Sequence, residues 1–298
     1  MTVLVTGSTG LVGSSLVPHL EACGHRVLRL VRTSPKDDLE RRWDPESGEL
    51  APAALEGIQA VVHLAGENIA SGRWNEAKKS RIRSSREDGT RLLAQGLAGL
   101  QTPPGVLVSA SAIGYYSNRG DEILNEESPP GDDFLAETCI AWENAARPAA
   151  DAGVRTVNLR IGIVLSADGG ALAKMLFPFR MGVGGVIGGG NQYMSWVSLG
   201  DLTRIIVHVL NTETLAGPVN AVSPAPVTNR EFTKTLGGVL SRPTLFPMPA
   251  FAAKLAFGEM ADALLLSSTR VTPTRLQESG YDFQHPELEG ALRHVLER

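Results

Sequence analysis

Three glycines at three-residue spacing, Gly7, Gly10 and Gly13, stand between a short β-branched run at residues 2–6 and a segment in which Leu11, Val12, Leu16, Val17 and Leu20 recur at helical spacing. This order demands a strand, a tight turn and a helix. In such a loop the first glycine permits the turn, the second lets the backbone approach a diphosphate, and the third lets helix pack on strand. The helix start offers unpaired N–H groups and a partial positive charge. Gly24 closes the helix and residues 26–31 follow at once as a second strand. The result is a β-α-β unit of about 30 residues, whose parallel strands require a right-handed crossover. A glycine-rich turn without a ligand would share the spacing, but its placement after a strand and before a helix points to a dinucleotide. Candidate contacts are Gly7, Thr9, Gly10, Leu11, Val12 and Gly13.

The alternation continues along the chain. Strands are expected at 60–64, 106–109 and 155–165, with helices at 74–97 and 134–152 between them. Near-continuous apolar strands separated by helices indicate a parallel sheet covered on both faces. After about Asp168 glycine and proline punctuate the sequence. Helices are still expected at 200–210, at 229–240 behind the Thr228-x-x-Glu231 capping box, at 250–266 and at 286–298. The expected architecture is α/β: a Rossmann doubly wound parallel sheet over 1–167, with some return crossings from the second half, and a smaller α/β carboxyl-terminal substrate lobe over 168–298. That lobe includes a small module from about 249.

An NAD-binding protein usually presents an acid to the ribose 2′-hydroxyl at the end of strand two. Here that place reads Val31-Arg32-Thr33-Ser34, and the next acid is Asp37. A guanidinium matches phosphate oxygens in a bidentate fork, so Val31 and Arg32 favour NADP(H), although a solvated strand-end cation would look the same. The end of the 60–64 strand, Leu64-Ala65-Gly66, offers small residues where the backbone must approach an adenine ribose. His63, inside an apolar strand and without metal-ligand spacing around it, reads as a hydrogen-bonded core residue. Arg81 and Arg86 on the following helix are candidate partners of the cofactor phosphates, against the plainer reading of a solvated helix face.

The chain of 298 residues carries 28 Lys+Arg against 32 Asp+Glu, a net charge of −4, so it lacks the basic footprint of a nucleic-acid binder. No apolar run reaches the roughly 18–20 residues of a membrane span. The amino-terminal strand leaves no room for a secretory leader, and a cytosolic or organelle-matrix location is expected. Cys23 and Cys139 are too few for a disulfide framework or a metal site, and both are expected as packed helix residues.

The glycine loop, His63-Leu64-Ala65-Gly66 and the run from Ser109 to Tyr116 together resemble an extended short-chain dehydrogenase/reductase. Gly66-Glu67-Asn68-Ile69, Arg73-Trp74-Asn75, Phe177-Pro178-Phe179-Arg180, Ser195-Trp196-Val197, Gly200-Asp201-Leu202 and the segment from Gly258 to Leu292 are similar to its atypical, nucleoside-diphosphate-sugar epimerase-like subgroup. The resemblance spans essentially the whole chain and implies NADP(H), a Rossmann fold and a small-molecule substrate of nucleotide-sugar type.

It also exposes a departure. Typical members carry Tyr-x-x-x-Lys on the helix after the Ser109 strand, the Lys lowering the Tyr pKa for proton exchange with a substrate hydroxyl. With Glu143 registered on the family's usual acid, Leu135 and Cys139 occupy those places. Ser111 keeps the place of the substrate-binding Ser or Thr. Tyr115 and Tyr116, just past the strand, are candidate replacements for the acid, though adjacent aromatics after a strand commonly pack. In the second half Arg180 is a candidate for holding a phosphate or carboxylate and Ser195 and Trp196 for lining a substrate; Asp201 reads as a helix cap. Two functions stay open: an NADP-dependent oxidoreductase or epimerase with an altered proton-transfer group, and a redox-inactive NADP(H)-binding sensor or interaction protein.

Overall fold

Alternation of side chains between the two faces of the central strands sets the layers. In β1 (Thr2–Thr6) Val3 and Val5 face one core and Leu4 the other, all fully buried. The computed structural model describes residues 1–297. β1 lies between β2 (Arg26–Val31), which pairs outward with β3 (Glu40–Arg42), and β4 (Ala60–His63). On the β4 side follow β5 (Val106–Ala112), β7 (Arg155–Ile161) and β11 (Gly217–Ala221). The seven strands form one parallel sheet in the order β11-β7-β5-β4-β1-β2-β3. The order reverses between β1 and β4, and in open α/β sheets ligands bind outside the carboxyl ends of the strands at such a reversal.

Helices α1 (Leu11–Ala22) and α6 (Leu199–Asn211) cover one face, with Leu16, Leu20, Leu202, Ile205 and Val209 against the valines of the sheet. The other face takes α2 (Glu76–Ala98) and α4 (Arg147–Asp151), through Leu93, Leu97 and Ala149. α3 (Phe134–Ala145) packs beside α2 and ends just before Arg147-Pro148, so the helix expected over 134–152 is two. The strand expected over 155–165 likewise breaks at Gly162, where a side chain would meet Ser195 O at 2.8 Å, and resumes as β8 (Ile163–Leu165).

The second half has its own core, around Trp196, Phe232 and Leu236. It is built from α5 (Gly170–Arg180), α7 (Asn229–Leu240), whose capping box at Thr228 and Glu231 forms as expected, and α11 (Leu288–Val295). The helix expected over 286–298 is thus shorter, and Arg298 lies outside the described residues. Three small ladders tie the segments together: β8 with β10 (Trp196–Ser198), β9 (Tyr193–Met194) with β12 (Val227–Thr228), and β6 (Ile123–Leu124) with β13 (Arg270–Val271). The helix expected over 250–266 is interrupted at Gly258, whose φ of 63° suits glycine. It becomes α8 (Ala250–Phe257), α9 (Glu259–Ala261) and a π turn at Asp262–Leu266, followed by α10 (Thr274–Glu278). Cys139 is buried as expected, but Cys23 ends α1 exposed. Among the described residues no helix is long and apolar enough to cross a membrane and no cluster has metal-binding composition.

Candidate active site

The three loop glycines answer to three different neighbours. Gly7 has a φ of 67°, and a Cβ there would stand 2.8 Å from Leu64 C at the end of β4. At Gly13 a Cβ would lie 2.2 Å from Gly7 O, so only glycine lets α1 start against its own turn. Gly10 meets nothing closer than Gly7 O at 3.3 Å, and its open side faces outward. Gly10 is also the N-cap of α1. It offers no side-chain cap, and no acid stands in the first turn. The first amides of α1 therefore lack the carboxylate or hydroxyl that commonly satisfies a helix start, which is the arrangement that receives an anion. Thr9 and Gly10 are exposed there, and Leu11 and Val12 are half-buried.

The neighbouring strand end is held by a buried relay. Thr6 Oγ1 lies 2.7 Å from His63 Nδ1 and accepts from the amides of Leu64 (3.1 Å) and Ala65 (3.2 Å), while His63 Nε2 lies 2.9 Å from Thr90 Oγ1 on α2. Burial pushes the His63 pKa down to about 4, so the ring is neutral and structural. Thr6, which sequence reasoning passed over, thus fixes the shape of Leu64-Ala65-Gly66 beside the glycine loop.

Arg32 extends from the end of β2, 70% exposed, with only a 3.7 Å contact to the 85% exposed Glu46. Such a surface pair is weak and leaves the guanidinium free for another anion. Val31 is half-buried behind it, its carbonyl engaged by Trp43 N. Arg86 lies half-buried behind Gly66. Its Nη1 donates to the carbonyls of Glu67 (3.1 Å) and Ile82 (3.0 Å), and its guanidinium stacks 4.9 Å from the Trp142 ring centre. Burial lowers its pKa, and no carboxylate among the described residues lies within ion-pair distance. Arg81 points from the same helix into solvent.

The far end of the crevice, where β5 meets α3, is filled from within. Ser111 Oγ donates to Glu143 Oε1 at 2.7 Å, and Arg160 on β7 grips the same carboxylate through Nε (2.8 Å) and Nη2 (2.9 Å). Arg160 Nη1 donates to Tyr116 OH (3.0 Å), which donates to Asn220 Oδ1 (2.8 Å) on β11. Burial opposes the Arg160 charge, but the Glu143 carboxylate outweighs it and raises the pKa. Three of the expected roles change here. Tyr116 is fully buried, its hydroxyl is engaged on both sides and burial pushes its pKa up to about 12, so it cannot reach a substrate. Ser111, at 2% exposure, turns its hydroxyl into the ion pair instead of the crevice. Tyr115 is half-buried, edge-on to Tyr116 with the Arg160 guanidinium 3.4 Å from its ring centre, a packing role.

Leu135 and Cys139 stand on α3 against this strand end: Leu135 abuts Gly114, and Cys139 Sγ lies 3.7 Å from Ala112 O. Burial raises the thiol pKa to about 12, which keeps it protonated. Beside Leu135 opens a cavity of about 280 Å³ between Trp74, Asp133 and Phe134 on one side and Glu259, Asp262 and Leu266 on the other. In the sequence Trp74 stands only within a motif, and no local pattern joins it or Leu135 to Glu259, Asp262 and Leu266.

The substrate roles expected of Ser195 and Trp196 fail on burial. Both are fully buried; Ser195 Oγ bridges Thr269 O and Val271 N at 2.8 Å each, and Trp196 Nε1 donates to Ala225 O. Arg180 ends α5 exposed, its carbonyl accepting from Arg242 Nε. Asp201 is capped by Ser198 in the first turn of α6 and accepts from Tyr281, Gln284 and His285, which anchors the segment before α11.

Comparison with known proteins agrees with this fold. The profile of the NAD dependent epimerase/dehydratase family matches residues 3–221, and that of a domain of unknown function, DUF1731, matches residues 248–295. An epimerase family protein of Mycobacterium bovis is 44% identical over 298 residues, covering 99% of this chain and 98% of that protein. The crystal structure of human epimerase family protein SDR39U1 (isoform 2) with NADPH superposes with a TM-score of 0.93 at 37% identity, over 100% of both chains. The crystal structure of a nucleoside-diphosphate sugar epimerase from Corynebacterium glutamicum gives a TM-score of 0.83 at 39% identity, over 99% of this chain and 58% of that one.

Proposed function

Because the chain belongs to the NAD dependent epimerase/dehydratase family, alongside the SDR39U1 epimerase-family proteins, we propose that it is an NADP(H)-binding oxidoreductase or epimerase-like protein of the extended short-chain dehydrogenase/reductase type. The observation that carries this reading is the bare start of α1 at Gly10, a helix end without a cap or an acid, placed where the strand order reverses. In this reading the amides from Thr9 to Gly13 hold the diphosphate, Arg32 pairs with the 2′-phosphate, and Val31, Leu64, Ala65 and Gly66 border the adenosine. Arg86, a half-buried cation without a carboxylate, faces the dinucleotide from behind Gly66, and Arg81 adds only a long-range field. The human relative's structure with NADPH and the absence of an acid at the end of β2 support the phosphorylated cofactor. Bound there, the nicotinamide supplies or accepts a hydride. The protein's own part is to align the ring and exclude water, and the proton exchanged with the substrate comes from a group other than Leu135 or Cys139. The reading includes action in the cytosol on a small molecule.

A second reading, a redox-inactive NADP(H)-binding sensor, is favoured by one observation: a leucine and a protonated thiol stand on α3 where acid-base chemistry is expected. Titrating the purified protein with NADPH by fluorescence, then following nicotinamide absorbance across carbonyls and nucleotide sugars, separates the two. Binding with turnover of at least one compound is the expected result; binding with none across a broad panel supports the sensor, and no binding overturns both.

A further inference from the structure

The cavity beside Leu135 is assembled from two distant parts of the sequence. Its inner wall comes from the Rossmann half at Trp74, Phe134 and Leu135, and its outer wall from the carboxyl-terminal module at Glu259, Asp262 and Leu266. The module therefore borders whatever lies next to Leu135 on α3.

A nucleoside diphosphate carries two or more negative charges and needs cations or free helix amides to leave water. Neither is offered here. Among the described residues that line the cavity there is no Lys or Arg. The ammonium groups bonded to its lining carboxylates are committed there, Lys79 Nζ to both oxygens of Glu259 at 3.1 Å and to Glu76 at 3.4 Å, and Lys254 Nζ to Asp262 at 2.9 Å, while the Arg73 guanidinium beside Trp74 is spent on the carbonyls of Leu255 and Ala256. The start of α3 is closed to anions as well. Asp133 Oδ1 accepts from Ala136 N at 2.9 Å, which places a carboxylate where a phosphate would otherwise dock, and Glu137 follows in the first turn. The remaining wall is apolar and aromatic, with Trp74 edge-on to Phe134 at 5.4 Å between ring centres. Asn118 and Ser267 are the uncharged polar groups on this wall. At about 280 Å³ the cavity lies just below the volumes that enclose drug-sized ligands, roughly 300–1,000 Å³, and so suits a small compound.

We infer that the substrate is an uncharged carbonyl or hydroxyl compound with an apolar ring or chain, and that the carboxyl-terminal module excludes nucleoside-diphosphate sugars from this cavity. The inference rests on the NADP(H)-dependent reading above. Its charge logic is local: the ion pairs leave no cation over for a phosphorylated substrate and Asp133 keeps its carboxylate at the start of α3, while the aromatic wall and the amide of Asn118 accept a neutral one.

The test begins with NADP+ titration, which judges the cofactor reading alone. The NADP+-saturated protein is then titrated by calorimetry with acetophenone, as an uncharged aryl ketone, and with UDP-glucose. Saturable acetophenone binding at least tenfold tighter than that of UDP-glucose is expected. Leu266→Trp, which fills the cavity, is expected to abolish acetophenone binding while NADP+ affinity stays within twofold, and Asp262→Lys is expected to narrow the gap by raising UDP-glucose affinity. UDP-glucose binding as tight as or tighter than acetophenone overturns the inference. So does the absence of acetophenone binding by a protein that binds NADP+, or acetophenone binding that survives Leu266→Trp.

Discussion

The start of α1 and the start of α3 lie at two ends of one crevice, yet they treat backbone amides in opposite ways. At α1 the N-cap is Gly10, the side chain that would satisfy the first turn is missing, and the glycine spacing leaves the amides bare. At α3 the N-cap is Asp133, which satisfies its own helix, and behind it the Ser111 hydroxyl of β5 is drawn into a network with Glu143, Arg160 and Tyr116. One end is built to receive charge and the other to hold it inside. The contrast teaches that retained polar residues do not measure a retained site: Ser111 is present, but its hydroxyl belongs to an ion pair.

The sharpest way to break this comparison is to cut the network. Glu143→Gln leaves the Arg160 guanidinium buried without its carboxylate and is expected to cost about 3–5 kcal/mol of stability in denaturant titration, with little loss of NADPH affinity in the protein that remains folded. A large loss of NADPH affinity with unchanged stability would show that the filled end touches the cofactor after all.

Next in size is the pH dependence of the relay beside the glycine loop. His63 has a folded-state pKa of about 4, below its ordinary value of 6.5, so the unfolded chain binds more protons between the two. Its contribution is complete above pH 6.5 and is lost as pH falls toward 4, about 3 kcal/mol in all. His63→Gln is expected to flatten that part of the stability–pH curve, measured by urea unfolding at pH 4.5 and 7; an unchanged slope would remove His63 from the relay.

Arg32→Asp sharpens the other end. Removing a charge-assisted contact worth roughly 1.5–3 kcal/mol should weaken NADPH about tenfold to a hundredfold while NADH changes little. Equal losses for both dinucleotides would show that Arg32 does not read the 2′-phosphate. Smallest is Leu135→Tyr, which replaces one half-buried apolar side chain with a larger one at the cavity edge and is expected to change stability by less than about 1.5 kcal/mol. It should also produce no turnover of UDP-glucose by the nicotinamide absorbance assay, because Cys139 remains protonated beside it; turnover would show that the far end needed only its phenol.

What the sequence discloses follows the same division. The sheet is legible because its central strands are near-continuous Val and Leu runs, and α1 because glycines punctuate it. The edge strand β3, Glu-Arg-Arg, has no apolar pattern to read, since an edge strand pairs on one side and buries little. α5 hides behind Gly169-Gly170 and an internal Pro178, although Leu172, Leu176 and Phe179 carry helical spacing. The site is half legible for a related reason. Gly7, Gly10, Gly13 and Arg32 act through backbone position, which spacing encodes. Ser195 and Trp196 look like ligand contacts beside a glycine-rich turn, and Tyr116 because it lies just past a strand, but their partners, Thr269, Ala225 and Asn220, come from distant segments that no local pattern reveals.

The β6–β13 ladder, reinforced by Ser268 and Thr269 bonding back to residues 117–120, pins the end of the chain onto a loop laid down early in it. The chamber beside Leu135 therefore gains its outer wall only from the last stretch of the chain to leave the ribosome. A truncation before Glu259 would remove that wall together with Leu276, which packs into the valine core of the sheet.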